Sequence, residues 1–87
     1  MMERFKFENK VREYKEKGKG AFVVRFDDGE IVANYYTLSQ GGEYVDLWCK
    51  EGKNLWYVGN IKFNFIKDVY PLVSEELEKE LGLWDFD

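Results

Sequence analysis

The sequence predicts an α+β domain with an N-terminal helix, a five-stranded antiparallel meander and a short C-terminal helix. Three observations carry this expectation. Apolar residues recur at helical spacing near the start, alternate with polar ones through the middle, and return to helical spacing after Pro71, the only proline. Short connections between the strands would let the meander curl into a partly open small barrel. At 87 residues the chain predicts one domain, 1–87.

The first helix is predicted over residues 7–17. Phe7, Val11 and Tyr14 stand at i, i+4 and i+7, with Glu8, Arg12, Glu13 and Glu16 turned elsewhere. Lys15, Lys17 and Lys19 suit a helix C-terminus, and Gly18 or Gly20 can end it. Residues 21–26 then read as a strand, and Asp28-Gly29 as a two-residue type I′ turn. Closing a hairpin there pairs Phe26 with Ile31, Val24 with Ala33 and Phe22 with Tyr35, all on one core face. Arg25, Val32, Val23, Asn34 and Tyr36 fall on the other.

Residues 38–42 read as a flexible connection, and residues 43–50 as a third strand. In it Val45, Leu47 and Cys49 share the core row and Tyr44, Asp46 and Trp48 the opposite one. Residues 51–54 supply a turn. A second hairpin is predicted from Leu55 to Ile66 around Gly59-Asn60, with Val58 facing Ile61 and Trp56 facing Phe63. Pro71 marks the exit from the sheet. Ser74 can cap a last helix, Glu75 and Glu76 suit its first turn, Leu77 and Leu81 share a face, and Gly82 stops it.

Composition narrows the chemistry. The chain holds three Trp, six Tyr and seven Phe, enough bulk for a core in so short a sequence. It has no histidine, which removes imidazole-activated nucleophiles and His-based zinc sites. The single cysteine, Cys49, cannot form an intramolecular disulfide, fits a reducing compartment, and reads as a small buried hydrophobe. Asp27-Asp28-Gly29-Glu30 lacks the alternating acids of a calcium loop and reads as a turn. Lys17-Gly18-Lys19-Gly20 follows a helix and precedes a strand, the reverse of a phosphate-binding loop, so it reads as a helix end and loop and no nucleotide site is expected. No catalytic, cofactor or metal site is predicted, and the reading is of a non-enzyme.

The charged N-terminus lacks the apolar core of a signal peptide, and no run approaches a membrane span, so a cytoplasmic protein without a membrane partner is expected. The formal charge of −4 is unevenly placed. Residues 1–20 hold seven Lys/Arg against four Asp/Glu, and residues 67–87 hold two against seven. An acidic balance disfavours duplex DNA, where affinity comes from neutralising phosphates. It suits a charged protein partner or self-association.

Partner-binding candidates follow from faces left over by the core. Tyr36, Tyr44, Trp48 and Tyr57 lie opposite the predicted core rows. Glu76 and Glu80 share a face of the acidic last helix, and Trp84 and Phe86 stand in an aromatic, acidic tail. The leading expectation is a small binding module acting by protein contact, such as an accessory or inhibitor protein of a phage or mobile element. The alternatives are a single-stranded nucleic-acid binder, stacking bases on the four aromatics with Lys10, Lys15 and Lys17 carrying the salt dependence, and a structural homo-oligomer.

Overall fold

A computed structural model describes residues 2–72. A helix, α1 (Arg4–Glu16), precedes six strands: β1 (Phe22–Phe26), β2 (Gly29–Ala33), β3 (Tyr35–Ser39), β4 (Tyr44–Glu51), β5 (Asn54–Lys62) and β6 (Ile66–Pro71). They form two antiparallel three-stranded sheets, ordered β2-β1-β6 and β3-β4-β5. The α+β class therefore stands, while the five-stranded meander does not. The predicted C-terminal helix, with Glu76, Glu80, Trp84 and Phe86, lies outside the described residues. Among the described residues no helix is long and apolar enough to cross a membrane.

α1 begins three residues earlier than its Phe7, Val11, Tyr14 stripe suggests. It ends as the glycine predicts. Gly18 takes φ +76°, and the amides of Gly18 and Lys19 donate to the carbonyls of Lys15 and Tyr14 at 3.0 and 2.9 Å. That pair of bonds satisfies carbonyls the helix leaves open, and a side chain at this φ would be strained. Phe7 and Val11 are fully buried, and Tyr14 donates its hydroxyl to the Val69 carbonyl at 2.7 Å, fastening the helix to β6. Lys10 and Asp68 add an ion pair at 3.7 Å across the same seam.

The β1–β2 hairpin forms with its side-chain parity as predicted but its register displaced by two residues, and Val23, assigned to the face opposite the core, is buried as well. Phe26 opposes Gly29, Val24 opposes Ile31 and Phe22 opposes Ala33. The turn residues are Asp27 and Asp28, and neither they nor Gly29 has positive φ, so the turn is not type I′. A shift of two preserves side-chain parity, which is why Phe22, Val24 and Ala33 still reach the core.

Between Ala33 and Tyr35 the chain leaves one sheet and enters the other, with Asn34 at the bend. Asn34 bridges the change with its side chain. Its amide donates to the Lys50 carbonyl at 2.8 Å and its carbonyl oxygen accepts the Lys50 N–H at 2.6 Å. The side chain stands where strand backbone would otherwise pair.

β4 keeps its predicted alternation, with Val45 and Leu47 fully buried. Its hairpin with β5 turns at Gly52-Lys53. The second predicted hairpin is absent, because Gly59-Asn60 lies within β5 rather than at a turn. Pairing steps from Leu47–Gly59 to Trp48–Tyr57, which leaves Val58 as an extra residue and bends the strand. Residues 66–71, where the sequence placed the end of the fifth strand at Ile66 and the exit at Pro71, form a separate strand that joins the first sheet and buries Ile66 and Val69. One core joins both sheets and the helix. Phe7 is its centre, meeting Phe22, Tyr36 and Phe63 edge-to-face at 6.1, 5.1 and 5.5 Å.

Candidate functional site

Alternation along β4 sends Tyr44, Asp46 and Trp48 to the outer face of the second sheet, where β5 adds Tyr57 opposite Trp48. The Trp48 and Tyr57 rings meet edge-to-face at 5.2 Å, and the Trp48 indole N–H donates to Thr37 Oγ1 at 2.9 Å. Asn60 donates to Asp46 at 2.5 Å beside them. Three of the four predicted aromatics therefore share this face. Trp48 is half-buried and hydrogen-bonded within it, whereas Tyr57 is 53% exposed.

The fourth, Tyr36, is elsewhere. It packs on Phe7 as part of the core boundary, and burial, with a smaller push from Glu8, raises its phenol above the ordinary range. The bend at Asn34 explains the exchange. Ala33 and Tyr36 both point inward although they are three residues apart, so strict alternation fails across the bend and Tyr35 takes the outward place. The Nζ atoms of Lys50 and Lys15 stand 5.2 and 5.8 Å from the centre of the Tyr35 ring.

A continuous run of exposed apolar residues lies on β5, where the sequence placed Trp56 and Val58 on the core row and Tyr57 on the opposite face. Leu55, Trp56, Tyr57 and Val58 are 47, 47, 53 and 36% exposed, and Val32 nearby in the first sheet is 42% exposed. Trp56 opposes Cys49 and Leu55 opposes Lys50, beyond the stretch of β4 whose inner row is buried. The predicted core row thus runs past the end of the core. Cys49 is half-buried rather than buried, its Sγ 3.9 Å from the Val32 carbonyl oxygen. The uninterrupted run Leu55-Trp56-Tyr57-Val58, bordered by no turn before Gly59, is the signal that could have marked it.

A second feature is electrostatic. A cavity of about 400 Å³ opens between the end of α1, the approach to β1 and the start of β3, and Lys15, Lys19, Lys50, Tyr14 and Tyr35 line it. Of the predicted basic cluster, only Lys15 belongs here. Lys10 pairs with Asp68, and Lys17 pairs with Glu13 at 2.9 Å. Among the described residues no group of three or more His, Cys, Asp or Glu side chains is arranged to hold a metal ion.

Compared with protein-family models, with curated proteins and with solved structures, the chain matches none.

Proposed function

We propose that this chain is a non-enzymatic binding module that acts by contact with another protein, in the manner of a small accessory or inhibitor protein of a phage or mobile element. The observation behind the reading is the exposure of Leu55, Trp56, Tyr57 and Val58 on β5. Among the described residues β5 borders only β4 in its sheet, so its other edge presents backbone groups unpaired by any described strand, alongside large apolar side chains. Such an edge is costly to leave bare, since it templates indiscriminate pairing. An extended segment of a partner protein fits it well. Its backbone would pair with β5, and its alternate side chains would cover Trp56 on one side and Tyr57 on the other. Trp and Tyr are the side chains that most often dominate binding energy at protein interfaces.

The test is affinity capture from the native host, with and without nuclease, using the wild-type chain and a Trp56→Asp, Tyr57→Asp double variant. A protein that survives nuclease and disappears with the double variant supports the reading. Partners that vanish with nuclease favour single-stranded nucleic acid instead. Recovery of the bait alone, above monomer mass, favours a homo-oligomer.

A further inference from the structure

We propose that the cavity around Tyr35 is a binding site for a nucleotide phosphate, its ring stacked on Tyr35 and its phosphate held by Lys15 and Lys50. This goes beyond the protein-contact reading and uses different residues. Its first support is charge. Lys15 and Lys50 line the cavity together, and no carboxylate is among the described residues that line it, in a chain whose net charge is −4. Neighbouring cavities differ. One along α1 mixes Arg12 and Lys15 with Glu8 and Glu16, and one at the start of α1 mixes Arg4 and Lys62 with Glu3 and Glu43. The Lys15 and Lys50 ammonium groups, both beside Tyr35, repel one another, and a bound dianion would relieve that repulsion through charge-assisted hydrogen bonds.

The second support is the ring. Tyr35 stands within cation–π distance of both Lys15 and Lys50, so the two ammonium groups and the aromatic surface are held together. Asn34 fixes the Lys50 backbone through two hydrogen bonds, and Lys15 stands in the last turn of α1. Aromatic surface beside clustered cations is what binds an unpaired nucleotide: the base stacks and the phosphate pairs. The third support is size. A volume of about 400 Å³ is at the small end of ligand pockets, room for one nucleotide.

A free mononucleotide and a nucleotide within a single strand share this chemistry. The test is titration of the isotope-labelled full chain, followed by amide NMR, with adenosine 5′-monophosphate, adenosine, inorganic phosphate, a short oligothymidylate and an oligoglutamate peptide. The expected result is saturable shifts at Gly20, Ala21, Tyr35, Lys50 and Gly52 with the monophosphate, weaker with adenosine or phosphate alone and weakening with salt. Lys15→Gln with Lys50→Gln should lower that affinity by about tenfold or more, in a chain whose melting curve shows it still folded. Tyr35→Leu should reduce binding of the monophosphate and leave inorganic phosphate unaffected. Tighter, more salt-sensitive binding of the oligothymidylate identifies a strand as the source, and comparable affinity identifies a free nucleotide. The proposal is overturned if no probe shifts these amides, if the lysine pair is without effect, or if oligoglutamate or phosphate alone binds as tightly as the monophosphate.

Discussion

A β-carbon placed on Gly59 would stand 2.9 Å from Cδ1 of Ile31, closer than such atoms approach. Gly59 belongs to β5 and Ile31 to β2, so this glycine lets the two sheets meet.

Gly59→Val should therefore destabilise by up to about 1 kcal/mol, because Cδ1 is the free end of the Ile31 side chain and must turn aside from its rotamer. Ile31→Ala should recover part of that loss when combined with it, because Ile31 is the side chain in the way. Gly29 provides the contrast. A β-carbon there meets the Phe26 ring at 3.6 Å, an ordinary contact, and its φ is not positive. Gly29→Ala should stay within about 0.5 kcal/mol. Urea denaturation of these variants checks the set, and a Gly59→Val loss that Ile31→Ala leaves untouched would refute the close approach.

Asn34 carries a second prediction. Asn34→Ala should cost about 1–2 kcal/mol, since both backbone groups of Lys50 lose their partner at an exposed bend. Asn34→Asp should be no better than alanine. It keeps the acceptor for the Lys50 N–H but turns a carboxylate oxygen toward the Lys50 carbonyl. Thermal melts decide, and an aspartate variant as stable as wild type would mean that the donor half of the bridge is dispensable.

These two sites also show what a sequence conceals. The stripe of Phe7, Val11 and Tyr14, the β1 core row and the inner Val45 and Leu47 were legible because each obeys one unbroken period. Tyr36 was misplaced because the bend at Asn34 resets the period between sheets. Val58 resets it again as a bulge, and Gly59-Asn60 has the residues of a turn although Gly59 serves close packing. β6 was missed because Lys67 and Asp68 dilute its apolar pattern on a sheet edge, leaving only Ile66 and Val69 to mark it. At the candidate site, Tyr44, Trp48 and Tyr57 were found by parity. Trp56 was lost because parity tells which side a residue faces, not how far the core extends.

Tyr14 couples stability to alkaline pH. Its phenol is held above the ordinary value of 10.0, first by burial and then by the nearby charges of Asp68 and Glu13. The unfolded chain releases this proton near pH 10 while the folded chain keeps it. The folded state then binds more protons, so stability falls as pH rises. The contribution is whole below pH 10 and is lost as pH climbs through the higher folded value. Tyr36 acts in the same direction, with burial again the largest cause. Tyr14→Phe should cost about 0.5–1.5 kcal/mol at neutral pH, through the bond to Val69, and should flatten the decline above pH 10. Denaturant midpoints measured across the alkaline range test both parts, and an unchanged alkaline slope would remove Tyr14 from the linkage.

The two tryptophans of the second sheet should separate folding from binding. Trp48 has its N–H bonded to Thr37 and its ring against Tyr57, so it is built into the sheet. Trp48→Ala should lower stability by about 1–3 kcal/mol, through lost burial and a hydroxyl deprived of its donor. Trp56 is 47% exposed at the edge strand, and no hydrogen bond or ring contact holds it in place among the described residues. Trp56→Ala should change stability by less than about 0.5 kcal/mol. In a complex formed through β5 its loss should appear as faster dissociation, about tenfold or more, because desolvated aromatic anchors set complex lifetime more than encounter rate. Melting curves read the first quantity, and surface-immobilised kinetics with the captured partner read the second. If Trp56→Ala leaves dissociation unchanged while Trp48→Ala accelerates it at matched folded fraction, the contact surface is the outer face of the sheet and not its edge.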